Sequence, residues 1–341
     1  MHRRIKTAED LAWLLDHTHA FHGTRYLSIP TRKRPGASRI PSMGALTDEL
    51  LAWLALDVAR VPGRARALVR ERGAARVLAA GSLEMPGATD RLAWNPLAAR
   101  NRAQATLPFL AAGGQAIGGA DGAVLGRAEH RRRPPLILFG RGEASLLRAP
   151  GAVAIVGTRQ ATPVGLARAR GLATALAKAG AVVVSGGANG IDRAAHEAAL
   201  EAGGATVAVL GQPIAPGVDE RRAWMREAFG DASGRALSVT PYGAGVPHDP
   251  RLFAARNWTL AATADVVVVV EGTADSGTRH TAAAAVAMEI PLFTWPSDGE
   301  RPTSAMPNLL LAEGRARPLP PDPGDAAALL LGRPRARAAP A

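Results

Sequence analysis

The sequence predicts an α/β protein in which a largely parallel sheet follows an N-terminal helical domain. Short, β-branched apolar runs alternate with segments of helical periodicity through the second half of the chain. Two of these runs end in glycine-bearing loops that lead into helices, an arrangement that presents backbone N–H groups to an anion. Before them, an Ala/Leu/Arg-rich region from Leu46 to about Arg127 has helical spacing.

Composition limits the classes of protein that the chain can belong to. Its 341 residues are enough for two or three domains, and a hydrophobic content of 47% is enough for a sizeable core. The absence of cysteine excludes disulfides and thiolate chemistry. Apolar runs are shorter than the roughly 18 residues of a membrane span, and the N-terminus lacks the apolar core of a signal peptide. We therefore expect a cytoplasmic protein without membrane contact. The net charge of +12 favours a polyanionic partner such as nucleic acid, with nonspecific solubilising charge as the alternative.

The pattern predicts four regions. These are 1–45, a segment of unknown role; 46–133, a helical domain; 134–318, a Rossmann-like domain; and 319–341, a flexible basic tail that contains Arg333–Arg337. The first region contains a plausible helix at Thr7–Leu15. Its histidines, His17, His19 and His22, are interpreted as polar surface rather than metal ligands, and no metal or cofactor is predicted.

Seven strands are predicted in and around the Rossmann-like domain. They are Leu136–Phe139, Val153–Val156, Ala181–Val184, Thr206–Leu210, Ala236–Val239, Val266–Val270 and Leu292–Trp295. Because helices lie between most of them, we expect ligands at the carboxyl ends of parallel strands. Three further loops should reach that edge, at 211–213, 253–258 and 271–278.

The first two units of this alternation carry the clearest site signal. In the first, a helix at Thr162–Lys178 follows the strand, with Gly157 at the turn and Arg159 placed to grip a phosphate through its planar guanidinium. In the second, the loop Ser185–Gly190 connects the strand to a helix at Ile191–Ala202. Neither loop matches a dinucleotide-binding fingerprint or a P-loop, so tight turns without a ligand remain an alternative.

Four segments, in this order and spacing, resemble the DNA-processing protein A (DprA/Smf) family. They are Ala154–Gly165, Val184–His196, Thr206–Gly211 and Phe253–Asn257. The resemblance extends to Pro134–Gly142, to Val61–Gly73, which is similar to the family's helical module, and to Asn308–Gly314. It covers roughly residues 46–318.

The resemblance implies a non-catalytic protein that binds single-stranded DNA in a positively charged pocket. It also implies a homodimer that protects incoming DNA and loads a RecA-type recombinase during transformation. The residues that would contact DNA or phosphate are Gly157, Thr158, Arg159, Ser185, Gly186, Gly187, Asn189, Gly190, Phe253, Arg256, Asn257, Ser276, Gly277, Thr278 and Arg279, with Trp258 as a further stacking face. Asp192 and His196 are assigned structural roles that fix the loop and its helix.

The chain departs from the family pattern at several positions. Gly187–Asn189 stands where the family has Leu-Ala-Arg, Trp258 replaces a basic residue, and Ser276–Ala282 replaces Gly-Ser-Leu-Ile-Thr-Ala. The hairpin glycines of the helical module are reduced to Gly63–Ala65, which leaves phosphate binding and packing as equal alternatives.

Two other questions stay open from the sequence. The alternative function is a nucleotide-derivative binding or phosphoribohydrolase-like protein, which would need Glu271 or Asp275 as its carboxylate. For the dimer, Ala282–Ile290 and Leu309–Leu311 offer apolar faces, which could equally cover the sheet.

Overall fold

The computed structural model describes residues 48–85, 91–118, 125–214, 225, 229, 234–244, 246, 249–297 and 301–332. Several predictions lie outside these residues: the segment 1–45 with its helix and histidines, and the arginines of 333–337. None of the helices in the described ranges has the length and apolar character needed to span a bilayer.

The N-terminal domain is mainly helical, as predicted. Its helices are α1 (Asp48–Val58), α2 (Arg66–Arg72), α3 (Ala74–Ala79), α4 (Pro96–Ala103) and α5 (Leu107–Ala111). A short antiparallel pair, β1 (Ser82–Glu84) and β2 (Arg91–Ala93), was not predicted. Trp53, Leu54 and Leu56 are buried in the core of this domain, which continues to Phe139 of the large sheet.

The large sheet contains all seven predicted strands, each within three residues of its expected ends. Its strands are β3 (Gln115–Ile117), β4 (Leu138–Gly142), β5 (Ala152–Val156), β6 (Val182–Ser185), β7 (Ala205–Val209), β8 (Ala236–Thr240), β9 (Val266–Val269), β10 (Leu292–Thr294) and β11 (Arg317–Pro318). They lie in the order β11-β10-β9-β5-β6-β7-β8-β4-β3. The strands from β11 to β8 are parallel, and β4 and β3 extend the sheet in antiparallel fashion.

Helices cover both faces of the sheet because successive residues of each strand point to opposite sides. Val153 and Ile155 pack with α6 (Pro163–Lys178), α7 (Ile191–Glu201) and α11 (Pro323–Leu330). On the other face, Ala154 and Val156 pack with α8 (Arg251–Ala262), α9 (Thr278–Ala287) and α10 (Ala305–Ala312). The predicted α/β, Rossmann-like fold class is confirmed.

Three details of the prediction are wrong. The stretch 253–258 is not a loop but part of α8. The boundary at 133 does not separate the domains, because β3 lies before it and pairs with β4. The segment 319–332 is not a flexible tail: Asp322 caps α11, and the indole nitrogen of Trp295 donates to the carbonyl of Pro320 at 2.8 Å. Ala326, Ala327 and Leu330 of this helix are buried, so it is held by packing against the domain.

Candidate nucleic-acid interface

The candidate site lies where the strand order reverses. From β5 the chain continues through β6, β7 and β8 on one side, whereas β9 and β10 lie on the other. The loops after β5 and β9 therefore meet, and the amide of Thr158 donates to the carbonyl of Glu271 at 2.9 Å. Sheets of this kind bind ligands at the carboxyl end of such a switch point.

Glu271 fixes the loop that follows β5. Its buried carboxylate accepts hydrogen bonds from the amide of Thr162 at 2.9 Å and from the Thr162 hydroxyl at 2.5 Å. The same hydroxyl oxygen accepts from the amide of Gly165 at 3.0 Å, so that Thr162 caps helix α6. The sequence carries a signal for this cap, since threonine followed by proline is typical of a helix start. The support that Glu271 gives to it was not anticipated.

Arg159 lies at the exposed tip of this loop, two residues beyond Gly157. Within the described ranges its guanidinium forms neither a hydrogen bond nor an ion pair. Thr158 is partly buried, and its hydroxyl accepts from the amide of Gln160 at 3.2 Å. Arg159 is therefore available to an anionic ligand at the carboxyl edge.

The loop after β6, residues 185–190, is held on one side by hydrogen bonds to β5 and to helix α7. Ser185 is buried, and its hydroxyl donates to the carbonyl of Ile155 at 2.6 Å. The Asp192 carboxylate accepts from the amide of Ala188 at 3.3 Å. Burial raises the pKa of Asp192, while the nearby charge of Arg256 and the amides of Ala188 and Gly186 act in the opposite direction. The lower side of the loop is thus tied to helix α7.

The upper side of the loop has free donors. Among the described residues, the amides of Gly187, Asn189 and Gly190 have no hydrogen-bond acceptor; Asn189 is exposed, Gly190 is half-buried and Gly187 is buried. Gly190 has φ +80° and ψ −127°, and a Cβ there would lie 2.5 Å from the carbonyl oxygen of Thr158. Only glycine therefore permits this approach, which brings the donors of the second loop beside the loop that carries Arg159.

Arg256 and Asn257 are placed differently from the prediction. Arg256 is 7% exposed, and its guanidinium donates to the carbonyls of Gly186, at 2.9 Å, and of Val209. Asn257 is 8% exposed and donates to the carbonyl of Gly277 at 3.3 Å. Both side chains are committed to main-chain atoms beneath the loops, because helix α8 turns them toward the sheet. The structure therefore gives both side chains a supporting position, and their contact with DNA backbone or bases stays a prediction.

The two candidate stacking rings are also engaged by the protein. Phe253 is partly buried against Gly211, where an added Cβ would lie 2.5 Å from its ring. Trp258 packs against the core under α8, and the guanidinium of Arg133 lies 4.5 Å from the centre of its ring. Stacking of a base on either ring would thus use only the part of the ring that remains exposed.

The end of the loop after β9 is held by a local hydrogen bond. Ser276 and Gly277 precede helix α9, Thr278 is buried at its first position, and Arg279 donates to the carbonyl of Asp275 at 2.8 Å. Burial, assisted by the charge of Arg279, lowers the pKa of His280 to about 4. His280 is therefore neutral near pH 7, and Arg279 supplies the positive charge of this loop.

His196 lies inside the molecule. Its Nδ1 is 2.7 Å from the Thr206 hydroxyl, which donates to the carbonyl of Val183 at 2.8 Å. Its ring also meets Phe229 edge-on, with 5.5 Å between the ring centres. These contacts connect α7 to β6 and β7, away from the exposed loops.

The glycine turn of the helical domain, residues 61–65, is closed by the protein itself. A Cβ at Gly63 would lie 2.1 Å from the carbonyl oxygen of Pro134. Next to it the buried Arg66 donates to the carbonyls of Pro135 and Leu136, with 2.7 Å between Nη2 and the Leu136 oxygen. Of the two interpretations of this turn, the structure supports packing.

Comparison with known proteins agrees with this architecture. The family model for DNA recombination-mediator protein A matches residues 125–324, and the chain belongs to this family. A Mycobacterium tuberculosis protein that carries the name DNA processing protein DprA is 40% identical over 190 residues, which cover 54% of this chain and 48% of that protein. The DNA processing protein DprA of Bacillus subtilis is 30% identical over 184 residues, or 53% of this chain and 60% of the relative. The chain thus spans about half the length of the curated relatives it matches.

Two structures of DNA processing protein A are among the solved structures similar to the chain. DNA processing protein A from Helicobacter pylori, whose structure addresses its single-stranded DNA binding mode, has a TM-score of 0.55 and 28% identity, covering 64% of this chain and 96% of its own. DprA from Streptococcus pneumoniae has a TM-score of 0.61 and 23% identity, covering 83% of this chain and 97% of its own. At that identity the second likeness shows the fold alone.

Proposed function

We propose that this protein binds single-stranded DNA at the loops after β5 and β6 and acts as a mediator of DNA recombination. The observation that carries the proposal is the free amides of Asn189 and Gly190 beside the exposed Arg159. Amides at the start of an 11-residue helix combine hydrogen-bond donors with the positive end of the helix dipole. Arg159 adds a two-point donor, so the pair of loops suits a phosphate.

A single strand is favoured over a duplex as the ligand. The donors lie on loops at the edge of a sheet rather than on a protruding helix or ribbon that could enter a major groove. The family relative from Helicobacter pylori is described with a single-stranded DNA binding mode, which supports the same ligand here. Contacts to phosphates alone would make binding tolerant of sequence and sensitive to salt.

The position of Glu271 weighs against the hydrolase alternative. Both of its carboxylate oxygens accept hydrogen bonds from Thr162, and the side chain is 6% exposed. A general acid or base must reach the substrate, which a buried carboxylate engaged in this way does not do. The hydrolase alternative would then rest on Asp275, which is exposed in the loop after β9, and the function proposed here is binding without catalysis or a cofactor.

Loading of a RecA-type recombinase and protection of incoming DNA in the cytoplasm during transformation are part of the proposal. A two-fold dimer would place two sites on one strand and raise the affinity through effective concentration. Most of the apolar residues at 282–290 cover the sheet, and Leu310 is buried. Of the two predicted faces, Val286 and Leu309 contribute large apolar side chains that stay exposed, at 36% and 38%.

The experiment that tests the site compares two exposed arginines. Arg159→Ala should weaken binding of a single-stranded oligonucleotide about tenfold or more, because a charge-assisted hydrogen bond contributes about 1.5–3 kcal/mol. Its salt dependence, the slope of log affinity against log salt, should become shallower by about 0.7. Fluorescence anisotropy across a salt series measures both quantities.

Arg72→Ala is the matched control, since Arg72 is also exposed but lies in the helical domain. Its effect should stay within about twofold, as expected for a screened surface charge. Equal losses from the two variants would mean that only diffuse charge attracts DNA, and the site proposed here would be wrong.

A further inference from the structure

Three consecutive arginines, Arg131 to Arg133, lie in a segment that is fixed at both ends. At the first end, Arg127 donates to the carbonyl of Ala149 at 2.6 Å and pairs with Asp265. At the second end, Arg66 donates to the carbonyl of Leu136, and Gly63 packs against Pro134. The arginines are therefore carried on an anchored backbone rather than on a free loop.

The segment crosses the molecule toward the proposed DNA site. Asp265 precedes β9 and accepts from the amide of Ala152 at 3.0 Å, which places Arg127 at the amino edge of the parallel strands. Phe139 pairs with Thr240 at the end of β8, so that β4 begins at the carboxyl edge. The chain from 127 to 138 thus runs from one edge to the other.

Arg133 rests on the helix that supports the site. Its guanidinium lies 4.5 Å from the ring centre of Trp258 in α8, within the range of a cation–π contact. The preceding residue of that helix, Asn257, donates to the carbonyl of Gly277 in the loop after β9. The arginine segment and the proposed site therefore share one helix.

The segment places three positive charges together, and one of its residues, Arg133, has an unfavourable backbone conformation. Arg133 adopts φ +60°, a left-handed conformation that is uncommon for residues other than glycine. Burial and the charge of Arg132 lower the pKa of Arg133. Arg131 and Arg132 form no ion pair with any residue in the described ranges, while the neighbouring Glu129 pairs with Arg66 and Arg70. Such an arrangement suits a phosphate backbone, which would relieve the repulsion between the arginines.

We infer that Arg131, Arg132 and Arg133, supported by Trp258, form a second contact surface for the same single strand, beyond the phosphate held by Arg159. This inference rests on the proposed function, and it adds the path of the strand: from the loops after β5 and β6 along α8. Short strands would then occupy only the first site, whereas longer strands would reach both.

The test uses two lengths of oligonucleotide, about 4 and about 20 nucleotides, which bracket the usual site size of a single-strand binding domain. Arg131→Gln combined with Arg132→Gln should weaken binding of the long strand about tenfold and make its salt slope shallower by about 1.4, for two phosphates. Binding of the short strand should change by less than about twofold. Arg64→Gln combined with Arg72→Gln, two exposed arginines of the helical domain, removes the same charge as a control.

Arg133→Gly provides a second variant, because glycine accepts the left-handed backbone while the charge is lost. This variant too should weaken binding of the long oligonucleotide only. Thermal unfolding is recorded to establish that the variant is folded. The inference is overturned if the arginine pair behaves like its control, if the short strand loses as much affinity as the long one, or if a duplex of the same length binds equally well.

Arg159→Ala separates this inference from the proposed function. It should weaken binding of both the short and the long oligonucleotide. If it weakens neither while the Arg131/Arg132 variant still weakens the long strand, the site at Arg159 is wrong and the arginine surface binds on its own.

Discussion

The turn at 61–65 and the loop at 185–190 look alike in sequence but differ in what approaches them. Each places glycine before a helix, and each was a candidate for phosphate binding. At Gly63 the space that a Cβ would need is occupied by the carbonyls of Pro134 and Pro135. In the loop at 185–190 the amides of Gly187, Asn189 and Gly190 have no acceptor among the described residues, while that of Ala188 donates to Asp192. Glycine thus marks a close approach of backbone, and only the fold shows whether protein or ligand makes it.

The two regions share a second feature, a buried arginine that binds main-chain carbonyls. Arg66 joins the turn to the segment before β4, and Arg256 joins the loop after β6 to the end of β7. In both regions the buried arginine stabilises the protein, and at the second region an exposed arginine, Arg159, is left for the ligand. Burial therefore distinguishes a supporting arginine from a binding one.

The largest effect should come from removing the support below the open loop. Arg256→Ala would leave the carbonyls of Gly186 and Val209 without their donor and Asp192 without a neighbouring positive charge. Breaking one partner of a buried charged cluster costs about 3–5 kcal/mol in the free energy of unfolding. Chemical denaturation measures this quantity. Arg159→Ala, in the same region, should change it by less than about 0.5 kcal/mol.

If Arg256→Ala instead weakens DNA binding strongly at unchanged stability, Arg256 contacts the ligand after all. The distinction between supporting and binding arginines would then fail at this position.

A smaller effect should come from filling the closed turn. Gly63→Ala would force its Cβ against the backbone of Pro134 and Pro135, and overpacking of this kind costs about 1–3 kcal/mol. Gly277→Ala is the control, because no atom lies within 4 Å of its added Cβ and its φ of −57° suits any residue. Denaturation compares their stability, and anisotropy should show no change in DNA affinity for folded Gly63→Ala. Selective loss of DNA binding would revive the phosphate interpretation of the turn.

The smallest difference should appear in the response to pH. Burial raises the pKa of Asp57, beside the closed turn, to about 7 despite Arg60 and Arg66, whereas the pKa of His280, beside the site, is lowered to about 4. For Asp57 the folded pKa lies above the unfolded value of 3.8, so its stabilising contribution is present at low pH and is lost as pH rises through about 7. For His280 it lies below the unfolded value of 6.5, so stability is lost as pH falls toward about 4.

Unfolding free energies measured between about pH 4 and pH 8 should therefore respond oppositely to the two neutral substitutions. Asp57→Asn should remove the loss of stability that occurs as pH rises, and His280→Asn should remove the loss of stability that occurs as pH falls. Each effect should be about 1–2 kcal/mol, less than the full shift would give, because both residues retain some exposure. Identical pH profiles for wild type and both variants would contradict the placement of these two groups.

Much of the α/β sheet could be predicted because its strands are continuous β-branched runs. Val153–Val156 and Val266–Val269 need no knowledge of their neighbours to be recognised. Strands β3 and β11 have three and two residues, too few to show alternation. Helix α8 was missed for another reason: Arg256 and Asn257 are buried on it, so no polar face separates from an apolar one.

The site divides in the same way. The position of Arg159 and of the glycine loop follows from their place after two strands, and sequence is sufficient for that. The burial of Arg256 could not be predicted, because arginine is rarely buried and its partners are carbonyls from two other elements. The contact of Arg133 with Trp258 joins residues 125 positions apart and leaves no local signal.

Glu271 and Gly165 show how tightly one residue can restrict another. A Cβ at position 165 would lie 2.4 Å from the carboxyl carbon of Glu271, whose oxygens accept the hydrogen bonds that orient Thr162. Alanine at 165 would therefore displace the Glu271 carboxylate from the position in which it accepts both hydrogen bonds from Thr162. The two positions are expected to change together or not at all during divergence, which would make this pair a marker of descent even where the exposed loops have changed beyond recognition.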